Sequence, residues 1–394
     1  MQQAGAVAGV GAKVVPGLAR LSGRGGSTVI RAYKTELNPN QKQTQAFLRC
    51  CGASRWCYNW GLAAMIEARE QGRKTSVYAE KKRLNAIKDE IAPWLRDVPY
   101  VVLQDAFERL KVAYENFFRR VKAGEKAGFP KFKSRKNGIG TFNVRNNLHV
   151  TDTHIKLPVI GWVRLYEHGY MPTTKAAELC SVTISERAGH WEASLLVKQE
   201  QAEPLPATGE SIGVDFGIKA LATASDGRVY ENPRALKLAQ SKLARAQREV
   251  SRRVKGSANR RKSVLKLARA HRRVANIRKW ALNQISHDLV KTKPSAIVIE
   301  DLNVRGMLAN HCLAQAISDV GFAELRRQIE YKAAASGVKV LLADRWYPSS
   351  KTCSACGSVK QELTLADREY VCHECGVILD RDLNAALNLK NLAA

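Results

Sequence analysis

Two sets of residues in this chain combine side-chain types and spacings that could do chemistry. The first is Cys353-Ser-Ala-Cys356, then fifteen residues, then Cys372-His-Glu-Cys375. Two such knuckles supply four thiolates for a tetrahedral zinc ion, with Zn–S distances of about 2.3 Å. Gly357 and Gly376 follow the two pairs and let the chain turn back around the metal. A redox role for a Cys-x-x-Cys pair is the competing reading, and two matched pairs weigh against it. Four cysteine ligands leave no open coordination position, so this zinc is expected to be structural.

The second set is acidic. Asp215 stands within the apolar IGVDFG (212–217), Glu300 ends the apolar AIVIE (296–300), and Asp382 opens the last helical segment. An ionised carboxylate in or beside a buried strand is costly unless it is paired or bound to metal. Phosphodiester hydrolysis with two metal ions needs carboxylates converging from separated segments, holding the ions ~3.5–4 Å apart. Each acid also has a plain structural role open to it. Asp215 could cap the turn that follows, Glu300 could pair with an arginine, and Asp380 or Asp382 could be the N-cap of the final helix. Asp215-Phe216-Gly217 matches the kinase metal tripeptide, but no glycine-rich loop precedes it and no His-Arg-Asp segment exists.

Charge narrows the partner. The chain has 64 Lys and Arg against 36 Asp and Glu, a formal +28 at pH 7, over 394 residues. Such an excess repels itself unless a polyanion offsets it, which points to nucleic acid ahead of an anionic membrane surface. No stretch approaches the ~18 continuous apolar residues of a membrane helix. Between Lys237 and Lys279 lie sixteen Lys and Arg opposed by Glu249 alone, where an ordinary exposed helix would intersperse acids. This stretch is expected to contact phosphates, with a seam of Leu267, His271, Val274, Ala281 and Ile285 packing on the core. Cys50, Cys51, Cys57, Cys180 and Cys312 are scattered. Their odd total with the other four, and no signal peptide, fit core residues of a protein in a reducing cytosol.

The elements that must position these residues follow from periodicity. Ser27–Glu36 alternates as a strand and Asn38-Pro39-Asn40 ends it. Helical spacing runs from Gln41 to about Gln71, over Ser76–Lys88 and over Val101–Val121, before a basic turn-rich loop, GFPKFKSRKNG. Five short strands are predicted within 139–198, so this part reads as a barrel-like β domain with a helical insert. After a linker at 199–209, strands at 212–217, 296–302 and 338–344 alternate with helices at 234–292 and 318–335, and Asp226-Gly227 turns a hairpin. That alternation predicts an α/β core with a mixed sheet. Residues 1–26, rich in Gly, Ala and Val, are excluded from the fold as a disordered extension or a start placed too far upstream.

The motifs GVDFGIKALAT, IVIEDLNVRGM, SSKTCSACG and CGVILDRDLNAALNL resemble the RuvC and zinc-ribbon motifs of TnpB, the OrfB protein of bacterial insertion sequences. RAYKTELNPNQKQ and GFPKFKS resemble that family's N-terminal part, and the similarity runs from about residue 28 to 392. The resemblance implies an α+β multidomain protein. A β-barrel-like domain (27–200), wedge-like or oligonucleotide-binding-like, carries a helical recognition insert at about 41–125. An RNase-H-like RuvC nuclease core (201–394) follows, with the zinc ribbon inserted at about 348–379. Asp215, Glu300 and Asp382 become ligands of Mg²⁺ or Mn²⁺. Asp382 is preferred to Asp380 by the family pattern Asp-x-Asn-Ala-Ala, and Glu300 is preferred to Asp301. The implied partners are a guide RNA from the transposon end and double-stranded target DNA, cut beside a short element-specific motif in a bacterial cytoplasm, at the nucleoid. Relatives lacking the acids act as repressors, so a non-cleaving RNA-guided repressor or transposition accessory is the rival. A transposase that joins DNA ends would need an added end-recognition domain, and none is seen. The sequence leaves open which of Lys34, Tyr58, Gln104 and Arg119 touches nucleic acid.

Overall fold

The computed structural model describes residues 13–14, 21–23, 26–174, 177–364 and 367–393. The chain divides into two compact units, 21–201 and 202–394, and Lys13–Val14 (β1) belongs with the second. Of residues 1–26, Leu21–Gly23 (β2), β1 and Gly26 lie in strands, and the rest of that extension lies outside the described residues. No helix among the described residues is long and apolar enough to cross a membrane.

In 21–201 the first long strand is Gly26–Asn38 (β3). It stops where Asn40 caps α1 (Gln41–Glu70): the Asn40 side chain accepts from the Gln43 amide at 2.9 Å, and the Gln43 side chain accepts from the Asn40 amide at 3.0 Å. Helices α2 (Val77–Ile91) and α3 (Tyr100–Lys122) follow. Then come β4 (Thr141–Val144), β5 (His149–Val150), β6 (His154–Leu157), β7 (Gly161–Leu165), β8 (Ala177–Arg187) and β9 (His190–Gln201). The antiparallel sheet runs β4-β8-β9-β3-β7-β6-β5, with β2 on β3. No pairing among the described residues joins β4 to β5, so hydrogen bonds do not close it into a barrel. Periodicity misses β5, two residues long, and β2, which lies in the segment 1–26 excluded from the fold.

The core of this unit explains the inserted helices. Phe47 of α1 packs on Trp191 of β9 with ring centroids 5.0 Å apart, and on Phe142 of β4 at 5.7 Å. Helix α3 crosses α1 at Gly61, where a Cβ would lie 2.8 Å from the Phe107 ring. Cys50, Cys51 and Cys57 are buried here, and burial pushes each thiol up to about 12, which makes them inert. Cys180 is half-buried and Cys312 exposed, so the core expectation fails for those two.

In the second unit, β10 (Ile212–Asp215), β11 (Ala220–Ala224) and β12 (Val229–Glu231) form an antiparallel meander. Helices α4 (Ala235–Arg252) and α5 (Ala258–Lys291) lead to β13 (Ala296–Glu300). After α6 (Val304–Ala309), α7 (Ala314–Val320) and α8 (Phe322–Ser336) comes β14 (Lys339–Ala343). The cysteine segment carries β15 (Glu369–Val371) and β16 (Ile378–Asp380), and α9 (Arg381–Asn391) follows. The mixed sheet has the order β1-β14-β13-β10-β11-β12, with β13 parallel to both β10 and β14. Ile297, Val298 and Ile299 are fully buried, which is why β13 reads as a continuous apolar run instead of an alternating one.

One contact decides where α9 lies. It packs directly on β10 at Gly213, where a Cβ would fall 2.0 Å from the Ala386 carbonyl and 2.3 Å from the Lys390 amide. Ala385 and Ala386, both buried, present the matching small face. Gly213→Ala is therefore expected to lower stability by about 3 kcal/mol, the upper end of overpacking costs, measured by denaturant unfolding. An unchanged midpoint would mean that α9 can shift without loss.

Candidate functional site

Three carboxylates come together at the C-terminal end of β10 and β13. Asp215 is the last residue of β10, Glu300 the last of β13, and Asp382 lies in the first turn of α9. The close packing at Gly213 carries the third acid toward the first. Burial holds the Asp215 carboxyl well above the usual carboxylate range, and the charges of Glu300 and then Asp382 push it further. Burial also raises Glu300, against a hydrogen bond that Ser349 Oγ donates to Glu300 Oε1 at 2.9 Å. Arg381 partly offsets the charge: its Nε and Nη2 donate to Asp382 Oδ1 at 3.1 and 2.9 Å.

The neighbouring acids are occupied elsewhere. Asp380 caps α9, accepting from the amides of Asp382 at 2.9 Å and Leu383 at 3.1 Å. Asp301 is gripped by Arg326 at 2.9 Å and Arg345 at 2.7 Å. The plain structural roles open to Glu300 and Asp382 thus fall to their neighbours Asp301 and Asp380. A small cavity of about 100 Å³ opens beside Glu300, lined also by Asp344, Arg345 and Tyr347.

Cys353, Cys356, Cys372 and Cys375 form the one group among the described residues whose ligand atoms all lie within 4.8 Å of one another. The three carboxylates are more widely set. The Ser358 hydroxyl sits 3.2 Å from both Cys356 Sγ and Cys372 Sγ. Its hydrogen bonds are the first cause that holds Cys356 below the usual thiol value and Cys372 at about 6. A backbone hydrogen bond from Val377 opposes the rise at Cys375, yet desolvation and the three neighbouring thiols push it up to about 12. Four thiols this close do not all ionise without a cation, and an all-sulfur set at this spacing fits zinc. The knuckle is anchored to α9 by two buried amides. Asn384 Oδ1 accepts from the Ser354 amide at 2.9 Å, and Asn388 Nδ2 donates to the Ser349 carbonyl at 2.8 Å.

Comparison with known proteins gives the family of the chain. Three family models match the chain: OrfB of IS605, described as "Probable transposase", at residues 194–311, the "Cas12f1-like, TNB domain" at 322–389, and a "Helix-turn-helix domain" of OrfB at 27–74. A "Putative RNA-guided DNA endonuclease" of Streptomyces pristinaespiralis is 38% identical over 380 residues, covering 92% of this chain and 89% of that one. The chain belongs to the TnpB/OrfB family. A second family member, "Putative RNA-guided DNA endonuclease InsQ" of Escherichia coli (strain K12), is 33% identical over 381 residues, 91% of each chain. The solved structure of a Cas12f1–guide RNA–target DNA complex matches with a TM-score of 0.35 and 16% identity, over 92% of this chain and 99% of that one. Residues 27–74, matched as helix-turn-helix, here form β3 and the single long helix α1.

In this TnpB/OrfB chain the basic stretch is the pair α4 and α5, joined at 253–257 and packed through Leu243 and Val274. His271 is exposed rather than on the seam. Glu249 bridges the two helices, accepting from Ser263 Oγ at 3.0 Å and Lys266 Nζ at 3.3 Å. It is not the only opposing acid. Asp319, from α7, pairs with Arg278 at 2.9 Å and accepts from the Leu236 amide at the start of α4. Lys242, Arg245, Arg248, Arg252, Arg261 and Lys262 remain exposed. Among the residues left open in the other unit, Lys34 pairs with Glu192 at 2.7 Å and Tyr58 lies under Lys133, whose Nζ is 3.8 Å from the ring centroid. Gln104 and Arg119 are exposed.

Sequence reasoning missed Ser349, Asn384, Asn388 and Gly213. The only signal was polar Asn384 and Asn388, four apart on an otherwise alanine- and leucine-rich helix face. An acid whose folded-state pKa is raised weakens the fold above its unfolded pKa, and that penalty fades as pH falls through the folded value. Asp215→Asn is thus expected to raise the melting temperature without added Mg²⁺ at neutral pH, the gain shrinking as the medium is acidified. A lowered melting temperature would make Asp215 a structural residue.

Proposed function

We propose that this protein is an RNA-guided DNA endonuclease encoded by a transposable element, with Asp215, Glu300 and Asp382 as its metal-binding acids. What carries the reading is the convergence of these three carboxylates from β10, β13 and α9 while Asp301 and Asp380 are held in other work. The mixed sheet fits the RNase-H-like core that the family resemblance implies, and unit 21–201 fits its wedge-like domain with helical insert. The relatives named as RNA-guided DNA endonucleases are matched along nearly their full length.

The donor set is all carboxylate oxygen around a site where three negative charges repel, which suits Mg²⁺ or Mn²⁺. Bound there, such ions would activate a water and stabilise the leaving oxygen. The chain's own part is positional. Asp215 is fixed by the buried end of β10, and Asp382 is steered by Arg381 and the first turn of α9. The exposed cations of α4 and α5 hold phosphates without reading sequence. Sequence choice would come from guide pairing, the protein gripping the heteroduplex by its shape, as in another RNA-guided enzyme. A single centre cuts one strand at a time, so the two DNA strands would visit it in turn.

The test is to co-express the protein with its native flanking DNA, sequence the bound RNA, and assay Mg²⁺-dependent cleavage of matched DNA. A discrete RNA ending in a guide, with cutting abolished by Asp215→Ala or Asp382→Ala and RNA binding kept, is expected. Bound RNA without cutting by the unaltered protein would instead make it a repressor.

A further inference from the structure

The segment between β14 and the first zinc knuckle makes a tight turn whose interior is Ser349, 5% exposed. The Thr352 amide and hydroxyl both donate to the Pro348 carbonyl, at 3.0 and 2.9 Å, which closes the turn. Ser349 Oγ donates to Glu300 Oε1 at 2.9 Å, and no second hydrogen bond to that carboxylate is found among the described residues. This hydroxyl is the one hydrogen-bond partner found for a carboxylate whose charge acts on Asp215.

The same turn is held from the other side. Asn388 Nδ2 donates to the carbonyls of Ser349 at 2.8 Å and Thr352 at 2.6 Å. Asn384 Nδ2 donates to the Thr352 carbonyl at 2.7 Å, and its Oδ1 accepts from the Ser354 amide at 2.9 Å. Asn384 and Asn388 are 0% and 2% exposed, so these bonds are made out of water, where leaving them unmade is costly. Cys353, between the anchored Thr352 and Ser354, is a member of the four-cysteine cluster, itself 1% exposed. A continuous set of hydrogen bonds thus runs from the cysteine cluster through 349–354 to Glu300.

We propose that Ser349 is the positioning residue for Glu300, and that the zinc ribbon acts through this turn to set the affinity of the acidic site for its divalent ion. The proposal rests on the nuclease reading above. A serine satisfying its own hydroxyl is the ordinary alternative. It does not account for the serine's carbonyl being pinned by a buried amide at the same time.

The experiment uses the full chain with its bound RNA and reads Mn²⁺ binding by electron paramagnetic resonance, beside the Mg²⁺ dependence of cleavage. Ser349→Ala is expected to raise the Mn²⁺ concentration for half-occupancy by about 10–100-fold, the usual cost of losing an outer-shell partner, with zinc content and RNA binding unchanged. Ser349→Thr, which keeps the hydroxyl, should restore affinity. Cys375→Ser, which removes an exposed member of the cysteine cluster, should weaken Mn²⁺ binding in the same direction. Native Mn²⁺ affinity in Ser349→Ala would overturn the positioning role. Native affinity in zinc-depleted Cys375→Ser would overturn the coupling. Asp215→Ala is the separate control: if it too binds Mn²⁺ normally, the acidic site itself is wrong, whichever way Ser349 behaves.

Discussion

The close approach of helix α9 to strand β10 at Gly213 is the constraint on which the second unit depends. With a Cβ position only 2.0 Å from the Ala386 carbonyl, nothing larger than glycine fits without moving the helix. Because α9 lies this close, Asp382 is brought to the end of the strand that carries Asp215. The same helix turns its two buried asparagines to the knuckle. The small residues around them serve packing, and the polar ones serve attachment. One short helix thus joins an acidic centre to a cysteine cluster.

Gathering like charges has a cost that the fold leaves standing. Asp215 and Glu300 are both raised from their ordinary values, and Arg381 is the nearby cation that offsets part of the charge. Elsewhere the protein pairs buried acids with two arginines each, as at Asp105 with Arg109 and Arg145, or at Glu80 with Arg73 and Arg83. The contrast sets the paired structural carboxylates apart from the candidate site acids. Carboxylates raised by burial, with like charge added at Asp215, are the pattern expected of a site built for another ion.

The cationic surface follows a similar division. Some of the sixteen basic residues between Lys237 and Lys279 are taken up in holding α4 and α5 together, through Glu249, Asp319 and backbone carbonyls. The remainder face solvent with few acids between them. Their charge therefore comes as a rigid array on two packed helices, which suits a polyanion better than a flexible tail would. In the other unit, basic Lys133 is seated over Tyr58, and burial lowers its pKa to about 8, so not every lysine in a basic loop is a phosphate contact.

Much was legible in the sequence because the determining physics is local. Apolar runs and 3.6-residue spacing located the strands and long helices, and the two cysteine pairs could be read because metal-ligand spacing is written in the chain. The three acids stood out as charges in or beside apolar segments. Within each adjacent pair of acids the family resemblance preferred Glu300 and Asp382, whereas the physical reason for the choice lies in tertiary contacts. Glu300 against Asp301 turns on arginines from α8 and from beyond β14. Asp380 against Asp382 turns on one helical turn of geometry. His271, the open end of the antiparallel sheet and the role of Ser349 were equally hidden, since each depends on what a remote segment places beside it. Composition and local periodicity fixed the elements and the ligand types, whereas only tertiary packing, through the missing Cβ of Gly213 and the buried amides of Asn384 and Asn388, decided which side chains meet.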